Sequence, residues 1–527
     1  MAGAKRRGKG SASAVALLLA MSVAAAGCSK GDGGSASSSE PNASQGPSAA
    51  ASGNPAEKNE PFKITMSMNF DGKDIPNPNN PVQQAIETYT NTKLDIRYTP
   101  GAQYQEKLSV LIASGDLPMV VASYGAPKQS YLLTAFENGV FWDIAPYLKE
   151  YPNLSKLNQA IYDNIAYKGK IYGLPRERPL ARNAFIYRAD WLENLGMQEP
   201  KTLEEFYNML KAFKEKDPDK NGKNDTYGLS TGNVGGSGPE PSAYGVVLGA
   251  PNVWEVRNGE FIRDVFTPEY LEGLKFQKRL FEEGLIHPDF AMMDRPKMEG
   301  EFENGKAGVI YNTTNVAVSY EARVKAHFPD AKISFFSLLA NDKGEKRIAG
   351  AMGSNGILMF PKSSVKTEAE LKRILKFFDQ LADKEMADLL EWGIVGKHSQ
   401  RKDGKYEMIN QEAFDNEVAF PYKWPLRVVA LDAIKSPGIV NPLVEKEIQV
   451  TEENKKYVVN NPTNAILSAT FTERGVELEQ IIKDANTKFI MGVIDEAKWK
   501  SEMERWKSSG GDKIAKEYAE DWAKGNK

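Results

Sequence analysis

The chain of 527 residues contains a single cysteine, Cys28, and three histidines, His287, His327 and His398. One cysteine excludes an intramolecular disulfide, and so few soft ligands exclude zinc sites of the Cys/His type. No nucleophile elbow, zinc motif or phosphate loop occurs. A dominant charge is also lacking. The 67 basic residues nearly balance 70 acidic ones, for a net charge of −3, which gives no basic footprint for nucleic acid. Beyond the first 27 residues no apolar run is long enough to cross a bilayer. Internal repeats are absent. What remains is a soluble composition, 41% hydrophobic and 26% charged, on a chain long enough for two or three domains.

The cysteine follows a distinctive leader. Lys5, Arg6, Arg7 and Lys9 form a positive start, Ala14 to Ala26 a short apolar stretch, and Ala25-Ala26-Gly27-Cys28 an ending of small residues. This ending resembles the bacterial lipobox, although Ala25 stands where that pattern prefers Leu. Residues 1–27 therefore read as a lipoprotein signal peptide and Cys28 as the lipidated new N-terminus, with an ordinary secretory signal and a chance cysteine as the alternative. Acyl chains such as palmitate contribute about 0.8 kcal/mol per buried CH₂, and two of them give a stable anchor. Residues 28–60 are dominated by Gly, Ser, Ala, Pro and Asn. Such a stretch has little to bury and reads as a flexible linker. The expected location is the outer face of the cell membrane.

The remainder reads as α/β. Residues 61–70 and 93–98 carry strand patterns, 119–123 a buried strand, and 80–91 and 103–113 helices between them. Strand, helix, strand, helix, strand is the pattern of a doubly wound parallel sheet. A second unit begins near residue 180. Its clearest helix is 201–216, with Thr202 and Glu205 as a capping box and Leu203, Phe206, Leu210 and Phe213 on one face. Residues 267–284 and 366–391 read as long helices. The tail from Asn461 is helix-rich, with Trp499, Trp506 and Trp522 as packing residues. The expected architecture is two lobes with a ligand cleft between them. Lobe one takes residues 61–178 and, after a return crossing, 351–430. Lobe two takes 179–350, and 431–527 spans lobe two and the hinge.

The stretch DPDKNGKNDTYG (217–228) has the ligand rhythm of a calcium loop. Asp217, Asp219, Asn221 and Asp225 occupy positions one, three, five and nine. Lys223 offers its carbonyl at seven, and Gly222 sits where the chain turns sharply. Position twelve is Gly228, where an EF-hand needs a bidentate Glu, so the loop is a helix–loop–strand variant. A further ligand has to come from Thr226 or a distant carboxylate. A solvated Asx-rich turn is the alternative. A saturated oxygen cage would be structural.

Several stretches together resemble the extracellular solute-binding proteins, family 1, that serve ABC transporters for carbohydrates, in the large lipoprotein branch related to alginate- and aldouronate-binding proteins. They are VLIASGDLPMVV (110–121), residues 187–230 with the calcium-like loop, EFENGKAGVIY (301–311), GSNGILMFPKSS (353–364), LLEWGIVGKH (389–398) and KFIMGVIDEAKWKSEMERW (488–506). The resemblance implies a periplasmic-binding-protein-like fold of type II that closes on an oligosaccharide. It also implies a monomer that partners ABC permease subunits. In the alginate-binding relatives the equivalent loop holds calcium, which carries over onto Asp217, Asp219, Asn221, Lys223 and Asp225; those relatives are acidic where this chain has Thr226.

Sugar recognition needs flat apolar faces and planar polar groups. Tyr124, Trp142, Trp254, Trp392 and Trp424 are the candidates for stacking, each weighed against a packing role. Arg176, Arg178 and Arg182 in RERPLAR (176–182) stand near the expected crossing between lobes, and their guanidinium forks suit the carboxylate of an acidic sugar. Surface pairing with Glu177 is the alternative. The expected function is a lipid-anchored receptor delivering an oligosaccharide to a permease without altering it. A polysaccharide hydrolase or lyase, or a sugar sensor without a transporter, is the alternative.

Overall fold

Ile64, Met66 and Met68 fall on one face of the strand Phe62–Phe70 (β1) and are fully buried. Ser67 and Asn69, on the other face, are buried too, because β1 lies inside a sheet covered on both sides. The computed structural model describes residues 60–72, 75–77, 80–125, 127–232 and 241–525. The signal peptide, Cys28 and nearly all of the linker lie outside these residues.

The next strands are Thr92–Pro100 (β2), Val120–Ala122 (β3), Gly173–Glu177 (β4), Asn183–Arg188 (β5), Tyr227–Ser230 (β6), Ala307–Thr313 (β7), Ile333–Phe336 (β8) and Ser354–Met359 (β9). They form two main sheets. The first has the order β2-β1-β3-β9-β4 and the second β8-β5-β7-β6. β1 pairs in parallel with β2 and β3, as the alternating pattern predicts. β9, however, runs antiparallel to both of its neighbours. The chain returns to the first sheet at the carboxyl end of β4, so its next strand starts at that end and points the opposite way. A fully parallel sheet is therefore not formed.

Each sheet has its own core. The first gathers Met66, Val121, Leu174, Leu358 and Phe378. The second gathers Phe185, Trp191, Phe213, Val309 and Phe336, with Leu478, Phe489, Trp499 and Trp506 from the C-terminal helices. A smaller cluster on the second lobe includes Ile186, Phe302, Ile310 and Leu443. Trp499 and Trp506 are packing residues, as expected, and Trp522 packs partly buried against the same core.

The helix Leu203–Glu215 begins at the predicted cap, where Thr202 Oγ1 accepts from Glu205 N–H at 3.1 Å. The Glu205 carboxylate accepts from Lys201 N–H at 2.7 Å, one residue earlier than a standard box. The long helix expected at 366–391 is two helices, Glu368–Gln380 and Lys384–Trp392. No proline or glycine marks the break. It is fixed from outside: Asp379 accepts from Asn153 N–H and Leu154 N–H, and Asp383 from Asn153 Nδ2 and Tyr89 OH. Among the described residues no helix is long and apolar enough to cross a membrane.

Candidate functional site

Five residues, Arg178–Arg182, separate β4 of the first sheet from β5 of the second. Arg178 N–H donates to Gly353 O, Thr314 N–H to Arg182 O at 2.8 Å, and Asn454 Nδ2 to Ala181 O at 3.0 Å. The crossing is thus held by the return crossing, by the turn after β7 and by the helix Pro442–Asn454. The carboxyl ends of β1, β3 and β4 and the start of β9 all face this point. A register shift between Ser354 and Ile357, with Gly356 at φ 102°, brings β9 tight against Ser123. Added to Gly356, a Cβ would lie 2.2 Å from Ser123 O.

Four guanidinium groups gather here. Arg176 is buried on β4, and its Nη1 donates to Asn69 Oδ1 at 2.7 Å. Arg178 Nη1 donates to Glu177 O at 2.7 Å. Arg182 Nη1 donates to Asn315 Oδ1 at 3.3 Å. Arg427, which no sequence motif marked, places Nη2 3.3 Å from Glu177 Oε2 and is buried with it. Burial and the mutual repulsion of the cations lower the proton affinity of Arg178, whose neighbours are Arg427, Arg176 and Arg182. Burial raises the pKa of Glu177 despite Arg427 and Arg178, and it raises that of Glu447 despite Arg427 and Arg182. Arg176 Nε and Arg427 Nε are buried without a hydrogen-bond acceptor among the described residues. The carboxylates close to the cluster are Glu177, Glu447, Asp71 and Asp432, the last paired with Lys435.

Trp424 sits among these cations. The ring centroid lies 5.5 Å from Arg178 Cζ, 5.4 Å from Arg427 Cζ and 4.7 Å from Lys423 Nζ. The indole is half-buried and supports guanidinium groups through its π face. It follows a wide π-type turn, Asp415–Lys423, which is pinned to the first lobe: Asn80 Nδ2 donates to Glu417 O, Tyr98 OH to Pro421 O and Tyr422 OH to Gln83 Oε1. Beneath it, Lys423 and Lys435 both bond Glu391 Oε2, at 3.0 and 3.1 Å.

The other aromatic candidates are distributed differently. Tyr124, just past β3, is 36% exposed at the strand-end side. Trp142 lies at the opposite end of the sheet, where its N–H donates to Phe360 O and its Nε1 to Val365 O. Trp254 is buried in the second core against Trp506 and Tyr518. Trp392 is buried, stacked on Tyr406 at 5.5 Å, with Nε1 donating to Ser436 O. Trp254 and Trp392 are thus buried against neighbouring rings, and Trp142 is half-buried at the far end of its sheet.

The loop 217–226 lies apart from this cluster. Asp217 Oδ1 and Oδ2 accept from Asn221 N–H and Gly222 N–H, both at 3.0 Å. Asn221 Nδ2 donates to Asp219 Oδ2 at 2.8 Å and Asp225 Oδ1 at 3.2 Å. Burial, and then the proximity of Asp217, push the Asp219 pKa up. Asp217, Asp219, Asn221 and Asp225 thus converge, a donor set suited to a hard cation. Lys306 Nζ sits 3.0 Å from Asp225 Oδ2, and no group of three His, Cys, Asp or Glu among the described residues forms a ready metal cage. Thr226 is buried, and its Oγ1–H donates to Phe213 O at 2.6 Å. Gly228 explains the missing twelfth ligand. There a Cβ would meet Leu210 Cβ and Leu210 O at 2.7 Å, so β6 can bear no side chain where an EF-hand carries its Glu.

Two α/β lobes with charged and polar side chains gathered where their strand ends meet define a ligand-binding clamp. The chain belongs to the bacterial extracellular solute-binding protein family, whose sequence pattern matches residues 75–388. It is 38% identical over 443 residues to the polygalacturonan/rhamnogalacturonan-binding protein YtcQ of Bacillus subtilis, covering 82% of this chain and 86% of that one. It is 37% identical to the lipoprotein LipO of the same organism, covering 84% and 88%. The fold is similar to that of the alginate-binding protein AlgQ2, with a TM-score of 0.60 at 18% identity over 88% of this chain and 98% of that one. The protein is a solute-binding protein and not an enzyme, as the resemblance implied.

Proposed function

We propose that the protein is a lipid-anchored receptor that captures an acidic oligosaccharide of the galacturonate type and passes it unchanged to ABC permease subunits. The observation that carries this reading is the convergence of Arg178 and Arg427 on Trp424, beside Arg176 and Arg182, at the inter-lobe crossing. Guanidinium groups held against an aromatic ring have less freedom to lose on binding, and a guanidinium fork suits a planar carboxylate. Tyr124 supplies an exposed ring for the apolar face of a sugar. The name of YtcQ, a binder of galacturonate polymers, supports the same class. Lobe one is assigned to residues 61–178 and 351–430, and lobe two to 179–350 with the C-terminal helices. Hinge closure across Arg178–Arg182 makes and breaks no covalent bond.

Cys28 is assigned as the acylated anchor, which mass spectrometry of the mature N-terminus checks. Calcium is assigned to Asp217, Asp219, Asn221, Asp225 and the Lys223 carbonyl as a structural ion. The published neighbours include AlgQ2 solved without calcium ion and an EF-hand mutant of the fructooligosaccharide-binding protein FusA.

Calorimetric titration with trigalacturonate, followed by mass analysis of the recovered sugar, tests the reading. Saturable binding of intact sugar supports it. Absence of binding, or shortened products, overturns it.

A further inference from the structure

Helix Pro442–Asn454 starts at Asn441, whose Oδ1 accepts from Leu443 N–H, and packs on the second lobe through Leu443. Its Glu447 turns toward the crossing, where Oε1 accepts from Thr314 Oγ1 at 3.1 Å. Thr314 is the residue whose N–H holds Arg182 O. The cations that act on Glu447 are Arg427, from the first lobe, and Arg182, from the crossing itself. Neither is bonded to it: Arg182 donates to Asn315 and Arg427 to Glu177. The other charges nearby are Asp432, paired with Lys435, and Glu177 beyond Arg427. Helix Ala317–His327 brings Glu321, which is tied to Asn441 and Lys325. Glu447 is therefore a half-buried carboxylate, bonded to the Thr314 that holds Arg182 and within electrostatic reach of Arg182 and of Arg427 from the first lobe.

We infer that Glu447 sets the charge selectivity of the cleft by acting as an internal counter-carboxylate. The inference rests on the acidic-saccharide reading above. A ligand carboxylate bound beside Arg182 and Arg427 gains their attraction and meets the repulsion of Glu447. A neutral sugar meets no such repulsion, and Glu447 can accept one of its hydroxyl hydrogens. Capture of an anion then raises the proton affinity of Glu447 further, and binding takes up a proton. Burial already raises the pKa of Glu447 in the empty protein. Affinity for an acidic sugar accordingly rises as the pH falls through the raised pKa of Glu447, until the sugar itself is protonated.

The test uses the mature chain and two probes, trigalacturonate and its full methyl ester, titrated by calorimetry near pH 7 and near pH 5.5. Glu447→Gln is expected to tighten trigalacturonate by roughly tenfold near pH 7 and to flatten the pH dependence, and not to tighten the ester. Glu447→Asp keeps the charge and is expected to keep the pH dependence. Melting curves of both variants verify folding, and a variant that fails to fold passes the question to the other and to the pH profile of the unaltered chain. If the unaltered chain binds trigalacturonate but Glu447→Gln weakens it or leaves affinity and pH profile alone, the inference is overturned and the acidic-saccharide reading stands. If the unaltered chain binds no trigalacturonate at either pH, the reading itself falls and takes the inference with it.

Discussion

Arg178 and Arg427 rest against the same indole, their Cζ atoms 5.5 and 5.4 Å from the centroid of Trp424. One comes from the crossing and the other from the segment after the π-type turn, so the ring joins two parts of the chain at the cleft. Trp424→Ala is expected to weaken trigalacturonate by about 1–2 kcal/mol, the range of a partly desolvated cation–π contact, with a small effect on melting temperature. Titration calorimetry beside a melting curve separates the two effects.

Trp392 and Trp254 predict the reverse. Both are buried, Trp392 on Tyr406 and Trp254 against Trp506. Trp392→Ala opens a cavity beside Tyr406 and Gly438 and leaves Ser436 O without its donor. It should cost about 3–5 kcal/mol of stability while leaving sugar affinity unaltered below the new melting point. Loss of affinity without loss of stability would return Trp392 to the ligand site.

Glu391 gives a stability signature in acid. Burial opposes its charge, but Lys423 and Lys435 together hold its pKa at about 2, below the ordinary 4.5. The carboxylate is depressed, so its contribution is complete above about pH 4.5 and is lost as the pH falls toward 2. Glu391→Gln takes the carboxylate from the half-buried Lys423 and leaves Lys435 only Asp432, and should destabilise by about 3 kcal/mol at neutral pH. Denaturant titrations across this range would show the variant less sensitive to acid than the unaltered chain.

The loop 217–226 predicts a calcium response. Saturating calcium at a hundredfold excess over its Kd adds about 2.7 kcal/mol, read as a higher melting temperature that EDTA reverses and Asp219→Ala abolishes. The Asp219 pKa is raised, so the calcium-free chain gains stability as the pH falls toward that pKa, and the increment from calcium shrinks. A melting curve indifferent to calcium would remove the ion from the account.

Much of this was legible in the sequence because it rests on local pattern. The buried alternation of β1, the cap at Thr202 and the three arginines of RERPLAR could all be read from neighbours along the chain. Other features depend on distant partners. The break between Gln380 and Lys384 is fixed by Asn153 and Tyr89, far away in sequence, and has no local marker. β9 is antiparallel because of where the chain re-enters the sheet, which no strand pattern records. Arg427 and Glu447 lack a motif of their own and acquire meaning only beside Glu177, Arg182 and Trp424. Tryptophan count offered no way to tell Trp424, among cations, from Trp392, sealed by Tyr406.

The central claim is that the arginine-lined crossing recognises a sugar carboxylate without changing the sugar. Titrating trigalacturonate and its full methyl ester into the unaltered chain, and weighing the recovered ligand, tests it most directly. The account predicts saturable binding of the acid, clearly weaker binding of the ester, and intact sugar in both cases. Equal affinity for acid and ester, or any cleaved product, would contradict it.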